Sequence, residues 1–425
     1  MARVRRTRHL VVCCQDTTLP DIAALLRGVA RVVTVEETYA ISLLRGERHV
    51  VSNEDLGVLL SIPSGRWIDG HDLDRATLDR FTAMGLVLAD DGTSEHAELI
   101  RRDAELDTSG WNLFGALYHF LTRWRDVNVD APLEDIDLDL ITEAMADAVE
   151  QFVARHGPAP TALFALDDPL AVHELPLVER HGGLYDALAA RRTTRGFDST
   201  ATMTAEQLAA VLFYVFGCHG WAPMAGNGIM IRRTSPSGGG LHPIEAYPLV
   251  AGVAGIDDGL YHYNVRDHAL ELVATIDAEE AARLAREFMC GQTYFASAQA
   301  KILMTARFER SFWKYRRHPK AYAALMMDAG HLSQTLYLVA AELGLGAFVT
   351  AAVNGANIEE RLGLDGTREG VLAACGCGVR STRSTPLEPE YRAYVPRRSE
   401  LPPEAVAGAR ATTPTPDPAE RTTAG

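Results

Sequence analysis

From residue 181 onward the chain switches repeatedly between two hydrophobic periods. Thr204-Ala-Glu-Gln207 forms a capping box ahead of LAAVLFYVFG, which is apolar nearly all round and therefore predicts a buried helix. GLYHYNVRDHALELV reads as a hairpin, two β-rich runs around Asn264–Asp267. KILMTARF and VLAACGCGV predict core strands. Between them AYAALMMDAGHLSQTLYLVAAELGLG predicts a long helix covered on most sides, either centrally or across a dimer interface. Helices and strands alternate without the regular spacing of βαβ units, so the class expected is α+β.

The first 105 residues read as a small unit of their own. HLVVCC predicts a short strand, and LPDIAALLRGV has helical spacing. SNEDLGVLLSI opens on a Ser52 cap, and LDRATLDRFTAMGLV predicts a second helix that ends at Gly85 and feeds a strand. Helix, turn, helix, strand is the outline of a winged helix. Such a unit binds DNA, binds a peptide along its strand edge, or serves only packing and dimerisation. The acidic tract DDGTSEHAELIRRDAELD speaks against DNA. Residues 106–180 read as a helical, acidic connecting module with an aromatic patch from Trp111 to Trp124. Residues 396–425, rich in Pro, Thr, Ala and Glu, read as a disordered tail.

Charge and cysteines narrow the function. Lys plus Arg total 41 against 56 Asp plus Glu, a net charge of −15 over 425 residues, which lacks the basic footprint of a nucleic-acid binder. The apolar run after MARVRRTRH is too short for a signal peptide. The apolar region around 321–343 is broken by Asp328, His331, Gln334 and Glu342, so no membrane span is expected and the chain reads as cytoplasmic. The six cysteines form no CxxC pair, and no metal site is expected. Cys375-Gly-Cys377 reads either as a redox or metal element or, the favoured reading, as strand-buried thiols, and Cys13 and Cys14 are likewise expected as thiols buried in a strand.

Three stretches carry candidate chemistry. RRTSPSGGGLHPIEAY, residues 232–247, is neither a Walker loop nor a dinucleotide fingerprint. Its bare backbone suits either a flat ring or a flexible turn. LAARRTTRGFD groups Arg191, Arg192 and Arg195 around two threonines, which suits a phosphate dianion or a solvated turn. Residues 301–320 hold seven Lys or Arg and one acid, Glu309, within an acidic chain. Asp328 and His331 share a helix face, either as a hydrogen-bonded structural pair or with His331 in acid-base work. His242 belongs either to a ligand site or to a strand end.

These motifs, in this order and followed by GCGVR, resemble over residues 185–380 the nitroreductase-like flavoenzymes. The likeness is to the SagB-type dehydrogenases that mature ribosomally made peptides. The resemblance implies a nitroreductase-like FMN-binding fold over residues 181–395, behind the winged-helix-like unit 1–105, which it does not cover. It implies FMN between the subunits of a homodimer. Arg191, Arg192, Thr193 and Arg195 would hold the phosphate and ribityl chain, with Arg380 reaching back to the phosphate. Pro236, Ser237, Gly238 and Gly239 would approach the ring from the partner subunit, and Ala347, Phe348 and Val349 would offer backbone groups to its other edge. Lys314 and Tyr315 stand where the azoline-oxidising members carry a catalytic pair. There a proton leaves to a base while a hydride goes to flavin, and a neighbouring ammonium favours the phenolate. The implied substrate is a modified precursor peptide, with a cyclodehydratase or another maturation enzyme as partner; apart from the resemblance, the winged-helix outline on an acidic background makes 1–105 the expected leader-peptide dock. Two other readings stand beside this one. One is a general NAD(P)H-dependent nitroreductase, with no special need for Lys314-Tyr315. The other is a flavin-bearing scaffold that docks peptide without chemistry.

Overall fold

Ten elements open the chain: β1 (Arg3–Arg6), β2 (Leu10–Pro20), β3 (Val32–Ser42), β4 (Glu47–Val50), α1 (Asn53–Ser61), β5 (Ile68–Asp69), α2 (Arg75–Ala83), β6 (Val87–Asp90), α3 (Ser94–Thr108) and α4 (Leu113–Thr122). They belong to a computed structural model that describes residues 3–20, 32–129, 169–224 and 228–383, with isolated positions between 147 and 168 and between 385 and 396. β1 pairs antiparallel with both β5 and β6. β2, β3 and β4 form a separate antiparallel sheet with β2 on its edge. Both helices read from the sequence here are present, and Ser52 closes a capping box with Asp55. Residues 21–29 of the expected LPDIAALLRGV helix lie outside the described residues, and so does the expected tail beyond Pro396. Cys13 and Cys14 depart from expectation: both thiols are exposed. β2 is an edge strand on which residues 12–16 all face solvent, and strand character alone does not say whether a second layer covers it.

The remaining elements are α5 (Gly183–Ala190), β7 (Met203–Thr204), α6 (Ala205–Phe216), β8 (Gly220–Met224), β9 (Gly228–Arg232), β10 (Ile244–Val250), β11 (Val253–Ala254), β12 (Gly259–Asn264), β13 (Ala269–Thr275), α7 (Ala278–Phe288), β14 (Ala300–Arg307), α8 (Phe308–Lys314), α9 (Ala321–Glu342), β15 (Gly346–Thr350), α10 (Gly355–Leu362) and β16 (Glu369–Gly378). Six strands make one antiparallel sheet in the order β13-β12-β10-β14-β16-β15. The class is α+β, as the alternation of periods predicts. β14 runs through its middle and is buried on both faces, as a near-continuous apolar run requires. One face packs on α6 and α9 through Leu208, Leu212, Leu325 and Leu332; the other packs on α7 and α10 through Leu284, Phe288 and Ile358. Cys375 and Cys377 are buried in β16 as expected, and burial pushes the Cys377 thiol up to about 12.

Residues 1–131 and 187–385 form one compact unit, and 132–186 with 386–425 form a second. In the second, residues 169–182 are exposed chain outside regular elements. In the first, α3 and α4 share a core with the six-stranded sheet. Trp111, in the link between those two helices, sets its ring 4.6 Å from Phe308 and 4.7 Å from Phe312, and its Nε1 donates to the Thr367 carbonyl at 3.0 Å. Among the described residues no helix is long and apolar enough to cross a membrane.

The N-terminal sheet is pinned by one buried carboxylate. Asp103 of α3 accepts from the Arg5 guanidinium (2.7 Å), the Thr7 hydroxyl (2.8 Å) and the Arg8 amide (3.0 Å). Burial alone would raise its pKa, but nearby His9, the Arg8 amide and Arg5 outweigh that and hold it down to about 2. A folded-state pKa below the unfolded value of about 3.9 stabilises the fold above that pH, and the gain disappears as pH falls towards 2. Asp103→Asn should therefore destabilise the protein by about 3–5 kcal/mol near neutrality, because Arg5 is left buried without its counterion. It should also flatten the loss of stability between about pH 4 and pH 2. Thermal melts followed by circular dichroism across that range check both.

Candidate functional site

Between β9 and β10 the chain passes through Ser237-Gly238-Gly239-Gly240 in a single tight turn. Gly239 and Gly240 have φ of 64° and 69°, and His242 has φ of 47°. At Gly239 the reason for glycine is twofold. The left-handed backbone disfavours a side chain, and a Cβ there would stand 2.6 Å from Tyr315 Oη and 2.8 Å from Lys314 Nζ. The loop and the Lys-Tyr pair are therefore in direct contact.

α9 holds the loop in place. The buried Asp328 carboxylate accepts the Ser237 hydroxyl at 2.5 Å and the Gly238 amide at 2.9 Å. His331 Nδ1 lies 3.2 Å from the Pro236 carbonyl, and Ser235 and Thr335 hydroxyls meet at 2.5 Å. Positions 328, 331 and 335 recur on one helix face, so the spacing seen in the sequence serves to hold the loop. His242 is buried behind it and donates its amide to Ser237 Oγ. Burial, with Arg233 and Arg310 nearby, lowers its imidazole to about 4, so it is neutral at physiological pH.

Lys314 and Tyr315 are delivered by the fold's centre. α8 leaves the end of β14 directly, and its buried Phe308 and Phe312 anchor it on Trp111. Tyr315 closes the helix with its amide on the Ser311 carbonyl, and Lys314 Nζ lies 5.7 Å from the centre of the Tyr315 ring. The segment beyond is clamped by residues 107–112. The Arg317 amide donates to the Gly110 carbonyl at 2.7 Å, Asn112 Nδ2 donates to the Arg317 carbonyl at 3.1 Å, and Arg317 pairs with Asp107 at 3.1 Å. The clamp supports a non-glycine residue, Arg317, at φ 55°. Sequence reading marked Trp111 only as part of an aromatic patch and missed Asp107 and Asn112. Their partners lie some 200 residues away, and no local signal points to them. A cavity of ≈ 790 Å³ opens beside the pair, bounded by Gly239, Gly240, Lys314, Trp313 and the β8–β9 hairpin.

A second, smaller cavity of ≈ 190 Å³ gathers Arg191, Arg192, Ala347 and Arg380. Thr193 bridges in parallel to Ala347, the Thr194 amide donates to the Ala347 carbonyl at 2.8 Å, and Phe197 pairs with Arg380. Tyr337 of α9 meets the Thr193 hydroxyl at 3.0 Å and lies 5.4 Å beneath the Arg191 guanidinium. Two observations fit this site to a phosphate-bearing group such as FMN: three arginines line the space, and Thr194 Oγ1 is buried there without a hydrogen-bond partner among the described residues. Arg195 sits elsewhere, over Tyr294 at 6.0 Å. The Phe348 side chain turns into the core and stacks on Phe295 at 4.0 Å, and Val349 follows it in β15. The expected residues thus fall into two groups on one helix, near Ala324 and near Tyr337, roughly 20 Å apart at 1.5 Å per residue.

The contact at Gly239 is testable against its neighbour. Gly240 has the same backbone sign but open space where a Cβ would lie. Gly240→Ala should cost about 1–2 kcal/mol, the strain of a left-handed residue. Gly239→Ala should cost more and displace Lys314 and Tyr315. Urea unfolding of the two variants gives the difference, and equal midpoints would refute the contact.

Residues 188–379 match the nitroreductase family. Over 179 residues the chain is 30% identical to a nitroreductase-type protein of Methanocaldococcus jannaschii, an alignment covering 42% of this chain and 83% of that one. It is 34% identical over 152 residues to the trifolitoxin-processing protein TfxB of Rhizobium leguminosarum bv. trifolii, covering 36% of this chain and 40% of the relative. It is 31% identical over 142 residues to the microcin B17-processing protein McbC of Escherichia coli, covering 32% and 50%. The chain thus matches half or less of the length of these two processing proteins.

Proposed function

The chain belongs to the nitroreductase family, and we propose that it is an FMN-dependent oxidoreductase that dehydrogenates a ribosomally made peptide, converting azoline rings to azoles. The observation that carries this reading is the convergence of Lys314 Nζ and Tyr315 Oη on the backbone of Gly239. A reductase that only passes hydride from a nicotinamide has no use for a base at that point. Dehydrogenation of an azoline does, because a proton must leave along with the hydride. The relatives named for trifolitoxin and microcin B17 processing support a peptide as substrate.

Arg191, Arg192, Thr193 and Arg380 would hold the FMN phosphate and ribityl chain, and the backbone of Ala347, Phe348 and Val349 one ring edge; Arg195, set apart over Tyr294, is left out of this set. Pro236, Ser237, Gly238 and Gly239 would lie along the ring. FMN, when bound, supplies the hydride acceptor. Tyr315 Oη would take the ring proton, with Lys314 Nζ beside it at the same glycine. Asp328 keeps the glycine loop at fixed distance from both. A second copy of the chain would bring the glycine loop of one subunit to the Arg191 cavity of the other, which answers their separation along α9.

Purified protein should carry FMN, be a dimer by light scattering, and lose colour on denaturation. With a synthetic thiazoline peptide, Lys314→Ala and Tyr315→Phe should each keep FMN and the visible spectrum. Each should lose about 10²–10⁴ in turnover per bound flavin. The double variant should be little worse than the weaker single one, since a pair acting as a unit is not additive. Wild-type turnover per flavin in both single variants would place the base elsewhere.

A further inference from the structure

The ≈ 790 Å³ cavity beside Lys314 has a charge that the chemistry above does not use. Four cations line it, Arg307, Arg310, Lys314 and Arg316, against one acid, Glu309. Arg307 is neutralised by Glu245 at 2.8 Å. Arg310 and Arg316 are not: among the described residues neither has a carboxylate partner. Arg310 Nε donates only to the Leu241 carbonyl (2.5 Å), and an Arg316 nitrogen to the Thr108 carbonyl (2.6 Å). Each guanidinium keeps donors that a main-chain carbonyl does not use. Such a concentration of cations in a concave site, on a chain of net charge −15, attracts an anion. The lining also has an apolar part, Met224, Ile229 and Met230 of the β8–β9 hairpin. Trp313, 65% exposed, completes the lining.

We propose that this cavity selects substrate peptides that carry an Asp or Glu side chain next to an apolar residue beside the reacting ring. The inference rests on the peptide-dehydrogenase reading and adds the substrate class. A carboxylate is favoured over a nucleotide phosphate because the two unpaired guanidinium groups stand beside a methionine-containing wall. Thioether side chains adapt to varied apolar groups, and a cavity of this size takes several peptide atoms at once.

The test reads binding without turnover, on the FMN-loaded full chain. The probes are the peptides acetyl-Phe-Glu-Gly-Glu-amide and acetyl-Phe-Gln-Gly-Gln-amide, followed by tryptophan fluorescence, with Trp313→Phe to identify the reporter. The Glu peptide should bind about tenfold or more tightly, as a charge-assisted contact would give, and should weaken as salt is raised. Arg316→Gln should bring the two peptides close to parity. Arg310→Gln should do the same, but it also removes the Leu241 bond, so Arg316→Gln is decisive. Arg283→Gln, a remote surface change, should leave the preference intact. Equal affinity for both peptides in the wild-type chain would overturn the inference. So would binding of NADPH that depends on Arg316 while neither peptide binds. Failure here with normal azoline turnover leaves the dehydrogenase reading standing. A preserved Glu preference with no thiazoline turnover by the FMN-loaded wild-type chain would sink that reading instead.

Discussion

The site depends on a buried carboxylate that has found two donors. Asp328 lies inside a largely apolar helix, where an unpaired charge would be costly. The Ser237 hydroxyl and the Gly238 amide satisfy it, and in doing so they tie the only glycine triplet of the sequence to α9. Ser237 Oγ serves twice, donating to Asp328 and accepting the His242 amide, so the loop is closed on both sides of the turn. With the loop fixed, Gly239 has one position, and Lys314 and Tyr315 can pack against it only because no Cβ intervenes. The carboxylate, the glycine and the Lys-Tyr pair stand or fall together.

The pair itself is placed from the other direction. β14 is the central strand, fully paired on both sides, and α8 continues from its end. The direction of α8 is set by Phe308 and Phe312 against Trp111, and the position of its exit by Gly110 and Asn112 on Arg317. The N-terminal elements are therefore part of the support of Lys314 and Tyr315. Whatever else residues 1–105 do, α3 and the link after it cannot be removed without releasing the segment that carries Tyr315.

Much of this was legible from local patterns. The Thr204–Gln207 capping box, the hairpin about Asn264–Asp267, the two core strands and the long helix are all present where their hydrophobic periods place them. Each is decided by residues within a dozen positions of one another. The features that escaped are those whose cause is distant. Nothing near Asp107 or Asn112 announces Arg317, and nothing near Phe348 announces the ring of Phe295 some fifty residues earlier. The exposed Cys13 and Cys14 fail for the converse reason: a strand pattern reports pairing, while burial depends on whether another layer exists to cover it.

α9 links both halves of the candidate site mechanically. Leu325, Ala329, Leu332, Leu336 and Ala340 bury one stripe of it against the sheet along most of its 22 residues. Asp328, His331 and Thr335 hold the glycine loop, and Tyr337 supports Thr193 and Arg191. A helix packed over its whole length does not bend at small cost, because a close-packed interior transmits strain rather than absorbing it. The glycine loop and the arginine cavity of one chain therefore keep a fixed separation, and neither can be adjusted to a ligand without moving the other. The β8–β9 hairpin is the contrast, with side chains half-buried or exposed along both strands.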